Sequence, residues 1–312
     1  MNKIRISGTF LDEISHDIPH QNWSEKEWEK DFSYMKLAGI NKVILIRSGY
    51  KNWITFPSKV LIAEEKAIPP QIDLVDLFLR LSDKYSFDFY FGLYDSGKYW
   101  NNGKYKKEID LNKKVVEEVW EKYGNHSSFK GWYLSQECNK NIYGIIDIYS
   151  DLGKFCKKIS NNLPVLISPY IDGVKNISQY DKLVKKKNSI SIENHFKEWE
   201  EIFKGISGAV DFVAFQDGHV NYDQLYDFIY INKELADKNN IKSWINTETF
   251  DRDMPIKFLP IKWDKLKFKL DTAYNAGIQE AITFEFSHFM SPQSSYLQAG
   301  HLYNRYMDYL KS

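Results

Sequence analysis

Short apolar runs rich in β-branched and aromatic residues alternate with longer amphipathic stretches from one end of the chain to the other. That rhythm predicts βα units rather than an all-β fold or a helical bundle. Eight units can be counted. Strand one is Ile4 to Leu11; its helix opens on a capping box, Ser24 with Glu27 three residues on, and stops near Gly39. Strand two, Lys42 to Arg47, leads into a long connection from Ser48 to Gln71 containing Trp53, Phe56 and Pro69-Pro70, and then a helix over 73–85. Strand three, Phe87 to Tyr94, precedes a helix over 111–123, and strand four, Phe129 to Glu137, precedes one over 143–159. Strand five is Pro164 to Tyr170, followed by a Lys-rich solvated segment, KLVKKKNS, and a helix over 192–206. Strand six, Val210 to Phe215, pairs with a helix over 222–238, and strand seven, Ile241 to Phe250, with one over 262–276 that stops at Gly277. Strand eight is Glu280 to Phe286, and a final helix covers 296–310.

Eight strands and eight helices in 312 residues fit the α/β class and a single (β/α)8 barrel, 1–312, with enlarged βα loops. A doubly wound open sheet is the alternative. The first βα junction has neither GxGxxG nor a phosphate loop, so the usual nucleotide chemistry of that fold is missing.

Residues two apart on a strand share a face. If Glu137 points inward, so do Ser135, Tyr133 and Gly131, leaving Trp132 and Leu134 for the helix layer. If Glu285 points inward, Thr283 and Ala281 follow, and Ile282, Phe284 and Phe286 face out. Glu248 shares its face with Asn246 and Trp244, of which Trp244, like Trp132, reads as core.

Lys plus Arg and Asp plus Glu each number 42, so no net field draws nucleic acid or an anionic membrane. No apolar run is long enough to span a bilayer, and MNKIRISGTF lacks the apolar core of a signal peptide, so the chain as written reads as cytoplasmic. A secreted protein with its leader removed would read the same way. Cys138 and Cys156 lack CxxC spacing and are expected as buried free thiols; without HExxH or HxH, neither a zinc site nor another cofactor is expected.

Active sites of (β/α)8 barrels lie at the C-terminal mouth, which gives weight to acidic residues at strand ends. Glu137 and Glu248 close strands four and seven, nearly opposite each other in a ring of eight. Glycosidic cleavage needs one carboxylic acid to protonate the leaving oxygen and one carboxylate to attack or assist at the anomeric carbon. Their pKa values must be held apart. Either glutamate alone reads equally well as a helix cap or as the partner of a buried Arg or Lys. Gln216 and Asp217 follow strand six, Asn246 shares Glu248's face, and Glu285 could replace Glu248 or bind a hydroxyl. His219, His288, Asp95 and Asp12 also follow strands, each with a structural alternative. Trp53, Tyr94, Trp100 and Tyr170 could stack on sugar faces or simply pack in loops.

The motifs GWYLSQE, FVAFQDG, INTETF and FEFSHFMSP resemble the bacterial family labelled domain of unknown function 4434, a glycosidase-like barrel, within the superfamily of retaining (β/α)8 glycoside hydrolases. The resemblance runs from strand one to strand eight. It implies Glu137 as general acid/base, Glu248 as nucleophile, and an oligosaccharide or polysaccharide as substrate. That superfamily commonly carries Asn before the acid/base, where this chain has Gln136, an amide that could also donate to a sugar hydroxyl. The competing class is a non-catalytic carbohydrate-binding barrel. A Schiff-base aldolase would need an inward lysine at a strand end, and none is found on the clearest strands.

Overall fold

The computed structural model describes residues 3–15, 18–175, 189–252 and 258–312. The Lys-rich run 182–189 lies outside them except for Ser189. Eight strands form a closed, all-parallel barrel: β1 Ile6–Leu11, β2 Lys42–Leu45, β3 Asp88–Gly92, β4 Phe129–Leu134, β5 Val165–Ile167, β6 Phe212–Gln216, β7 Lys242–Asn246 and β8 Ala281–Thr283, with β8 closing onto β1. The ring of helices is α1 Glu25–Leu37, α2 Leu74–Tyr85, α3 Tyr105–Tyr123, α4 Ile145–Ile159, α5 Ile192–Ile206, α6 Leu225–Lys238, α7 Trp263–Asn275 and α8 Leu297–Lys311. This is the expected single (β/α)8 barrel. The capping box of Ser24 and Glu27 begins α1, and Gly39 and Gly277 adopt the positive φ that ends α1 and α7.

Two apolar layers explain the strand sequences. Phe10, Ile44, Ile46, Tyr90, Tyr133, Leu166, Ala214, Trp244 and Ile282 fill the barrel interior, whereas Trp132, Leu134 and the neighbouring odd or even partners pack under the helices. Gly131 faces the interior and leaves room for Tyr90, because a Cβ there would lie 2.3 Å from the Tyr90 ring. Cys138 and Cys156 are buried free thiols, as expected.

Strand eight is turned opposite to its expected faces. Ile282 belongs to the interior cluster and Phe284 packs on Phe10 at 6.0 Å, while Ala281 joins the outer core. The interior has to be filled with bulky side chains, and here Ile282 and Phe284 supply the volume that Ala281 and Thr283 lack. Thr283 satisfies its hydroxyl just past the end of β7, donating to Thr247 O at 2.6 Å.

Several strands end earlier than their apolar runs suggested. β4 stops at Leu134 and β7 at Asn246, so Glu137 and Glu248 stand in the βα loops just beyond. Phe250–Asp251 instead pairs antiparallel with Leu259–Pro260. The long connection after β2 is also structured: Gly49–Tyr50 and Trp53–Ile54 form a hairpin extended by Tyr94–Asp95, and a short helix spans Lys59–Glu65.

The tight fit of Gly131 against Tyr90 makes a stability prediction. Gly131→Ala should lower the unfolding free energy by about 1–3 kcal/mol, read from the denaturant midpoint. The same change in a Tyr90→Leu background should cost less, because the ring it strikes is gone.

Candidate active site

A cavity of about 530 Å³ opens at the C-terminal mouth, a size that suits a sugar-sized ligand. Glu137 and Glu248 both line it. Around them stand Arg47, Asp95, Gln216, His219, Asn246 and Arg252, and an apolar wall of Ile18, Ile46, Phe250, Phe258 and Phe284. Tyr50 and Tyr170 also line it.

Glu137 follows β4 and is held from two sides. Tyr133, four residues back on the inward face of β4, donates its hydroxyl to Oε1 at 3.0 Å, and Arg47 Nη2 lies 3.5 Å from Oε2. Burial pushes the Glu137 carboxyl above its ordinary value, and the charge of Arg47 with hydrogen bonds from Tyr133 and Gln216 only partly offsets it. Arg47, at the exit of β2, also sits 3.7 Å from Asp95 Oδ2 and donates to Ser15 Oγ at 3.1 Å. Asp95 in turn accepts from Trp100 Nε1 at 3.0 Å, so the arginine is shared between two fixed carboxylates.

Glu248 has the opposite electrostatics. Burial again favours the neutral form, but Arg252 outweighs it with a two-pronged contact: Nε to Oε2 at 2.8 Å and Nη2 to Oε1 at 2.5 Å. Lys269 adds to the same effect, and the carboxyl falls below its ordinary value. The backbone of Glu248 is clamped as well. Its N–H donates to Asp217 Oδ1 at 3.1 Å, and Lys269 Nζ donates both to that oxygen, at 2.7 Å, and to Glu248 O, at 3.1 Å. Gly218 is required beside it, since a Cβ would lie 1.6 Å from Glu248 Oε2.

The other expected site residues divide cleanly. Gln216, Asn246, Tyr170, His219 and Asp95 reach the cavity. Asn246 Nδ2 donates to Ser168 Oγ at 3.0 Å, while its Oδ1 is buried with no partner among the described residues. His219 packs on Tyr170 with ring centres 5.1 Å apart, and burial lowers its pKa to about 4, so it is neutral.

Gln136, Tyr94, Asp217, Glu285 and His288 do not line the cavity, which corrects their expected substrate contact. Gln136 points away from Glu137, as alternation demands, and donates to Tyr94 O at 2.9 Å and Glu108 Oε1 at 3.1 Å. Tyr94 is buried and gives its hydroxyl to Lys51 O. Asp217 Oδ1 accepts from Lys269 and the Glu248 N–H. Glu285 caps the Phe286–Phe289 turn through the His288 N–H at 2.7 Å, and its carboxylate meets His288 Nδ1. Despite burial, that carboxylate raises the His288 pKa to about 9, and the imidazolium reaches Pro19 O at 2.6 Å. Asp12 caps its own loop by accepting from Ile14 and Ser15 N–H. Trp100 is buried against Asp95, whereas Trp53 is exposed.

Sequence reasoning missed Arg47, Arg252 and Lys269. Arg252 carried a signal, four residues after Glu248, and Arg47 ends a strand. Lys269 had none, because it arrives from α7.

Among the described residues, no group of three or more His, Cys, Asp or Glu side chains could hold a metal ion, and no helix is long and apolar enough to cross a membrane.

Fold and mouth together define a glycosidase-like (β/α)8 barrel. The chain belongs to the family described as domain of unknown function (DUF4434), whose model matches residues 6–296. It is similar to a Bacteroides thetaiotaomicron VPI-5482 protein named "putative alpha-L-fucosidase", with 56% identity, coverage of 99% of this chain and 94% of that one, and a TM-score of 0.94. More remote likenesses concern the fold alone. The endo-1,4-beta-D-mannanase of Thermotoga petrophila RKU-1 is 11% identical, covering 91% of this chain and 88% of its own at a TM-score of 0.53. The PgaB (BpsB) glycoside hydrolase domain of Bordetella bronchiseptica is 13% identical, covering 91% and 94% at 0.54. No curated protein matches the chain.

The Asp217–Lys269 pair is fully enclosed, with side-chain exposures of 1% and 4%. Lys269→Met should therefore lower the unfolding free energy by about 3–5 kcal/mol by stranding the buried carboxylate. Asp217→Asn/Lys269→Met should recover part of that loss, as measured by denaturant unfolding of the single and double variants.

Proposed function

We propose that the protein is a retaining glycoside hydrolase acting on an oligosaccharide or polysaccharide, with Glu137 as general acid/base and Glu248 as nucleophile. What carries this reading is that two carboxyls line one cavity with unequal arginine contacts, which shift their pKa values in opposite directions. Glu137 is pushed up by burial and Glu248 is pulled down by Arg252, so one can hold a proton while the other stays charged.

In the first step Glu137 gives its proton to the glycosidic oxygen while a Glu248 oxygen attacks the anomeric carbon, breaking the bond to the leaving group and forming a glycosyl ester. In the second step Glu137, now ionised, takes a proton from water, which attacks the same carbon and releases Glu248. Arg252 engages both Glu248 oxygens yet leaves a lone pair on each for the attack. The unpaired Asn246 Oδ1 and the Gln216 amide are suited to sugar hydroxyls, and the wall of Phe250, Phe258 and Phe284 to an apolar sugar face. The name of the 56%-identical relative makes an aryl α-L-fucoside the first substrate to try.

One observation favours a second reading. The close Arg252 fork on Glu248 would serve equally well in a non-catalytic carbohydrate-binding barrel. Turnover decides between them.

The test is a panel of activated aryl glycosides (α-L-fucoside, β-D-mannoside, β-D-xyloside, β-D-galactoside) together with fucosyl, manno- and xylo-oligosaccharides. Glu137→Gln should lower kcat roughly 10²- to 10⁴-fold, and least on the most acidic leaving groups, which need little protonation. Glu248→Gln should abolish turnover on all of them, and a 2-deoxy-2-fluoro glycoside should label Glu248 in the wild type. Turnover that survives both substitutions would sink the assignment.

A pH prediction follows from the same contacts. The acid limb of kcat/KM reports Glu248 and should lie below the ordinary glutamate value; the alkaline limb reports Glu137 and should lie above it. Arg47 lowers the Glu137 pKa, so Arg47→Met should move the alkaline limb to higher pH and leave the acid limb in place.

A further inference from the structure

The hairpin after β2 presents aromatic side chains beside the cavity in a way that the two-carboxylate chemistry does not use. Its residues pair as Gly49 with Ile54 and Tyr50 with Trp53, so each pair shares a face. Ile54 occupies the space above Gly49, where a Cβ would lie 2.8 Å from its Cγ2, and is itself buried. That face is the core side. Tyr50 and Trp53 therefore occupy the other face, the one on which Tyr50 lines the cavity.

The two rings differ in what they offer. Tyr50 has the Arg47 guanidinium 5.8 Å and the Lys51 ammonium 4.9 Å from its ring centre. Trp53 is 57% exposed, and among the described residues its side chain has no ring contact or hydrogen bond. Trp53 does not line the cavity but stands across the hairpin from Tyr50, which does. The hairpin is also held firm. Gly49 and Tyr50 pair with Tyr94 and Asp95, Lys51 N donates to Asp95 O at 3.1 Å, and the buried Tyr94 hydroxyl fixes Lys51 O. The ring is thus presented by a rigid element, and binding need not order it first.

We propose that Trp53 is the platform of a second sugar subsite, stacking on the sugar joined to the one held in the cavity, so that the substrate is recognised across at least two linked sugars. The proposal rests on the glycosidase reading for what occupies the cavity. A flat indole with a free N–H offers an apolar face to sugar C–H groups and a donor at its edge to a hydroxyl. The occupant is a sugar chain because the platform is continuous, through Tyr50, with the cavity that holds the carboxylates.

Trp53→Ala is expected to raise KM for the oligosaccharides of the panel by roughly 3- to 10-fold and to leave kcat/KM for the aryl glycosides unchanged. Trp53→Phe, which keeps a ring, should regain most of the loss. Equal effects on both substrate kinds, or no effect on either, would overturn the subsite while leaving the catalytic assignment intact if aryl turnover still depends on Glu137 and Glu248. Should no member of the panel be turned over, the catalytic assignment fails and calorimetry decides the subsite. Oligosaccharide binding weakened in Trp53→Ala supports it, and binding that is absent or unaltered refutes it.

Discussion

Burying charge is expensive, and the mouth of this barrel is arranged around how that cost is met. Two carboxylates enter one cavity from nearly opposite strands, and each has an arginine from its own side: Arg47 for Glu137, Arg252 for Glu248. The two pairings are unequal. Arg252 grips Glu248 through a short two-pronged fork, whereas Arg47 is divided between Glu137 and Asp95 at 3.5 and 3.7 Å. A divided, longer contact cannot outweigh desolvation, and a bidentate one can. The opposite directions of the two pKa shifts follow from that inequality: the more deeply buried acid, Glu248, is the one held below its ordinary value.

Much of the fold was legible because a barrel strand writes two patterns at once, a continuous apolar run and a two-residue alternation between the inner and outer layers. In β4 the alternation was easy to follow: Tyr133 in, Trp132 and Leu134 out, Gln136 out and Glu137 in. In β8 it was anchored on Glu285, and the carboxylate proved to be a turn cap. With Ile282 and Phe284 inward, alternation puts Glu285 on the other face, so the carboxylate was a poor anchor. The bulky pair Ile282 and Phe284 is the better guide, because volume is what the interior requires.

The site was legible only where its residues sit on strand ends. Glu137, Glu248, Gln216 and Asn246 could be found by position, and the structure does gather them on one cavity. Arg47 and Lys269 could not be assigned, since a long cation carries no pattern of its own and its partner lies on another element. Asp217 illustrates the same limit from the other side. It was expected as a substrate contact because it follows β6 at the mouth; its oxygen instead meets Lys269 and the Glu248 N–H. The signal was real, in that the residue belongs to the site, but its role is one layer behind the surface that substrate would touch.

The loop after β1 extends the argument to the rim. Its segment near Ser15 and Ile18 supplies part of the cavity wall, and Ser15 accepts from Arg47. Pro19 and Gln21 tie the loop back to the turn after β8: His288 reaches Pro19 O, and Gln21 Nε2 donates to Ser287 O at 2.7 Å. Glu285, by charging His288, makes the first of these ties a charge-assisted one. Glu285 and His288 thus bear on the cavity without lining it, because they hold in place the loop whose serine helps orient the arginine beside Glu137. The carboxylate read from sequence as a rival for Glu248 is part of the frame that positions the arginine beside Glu137.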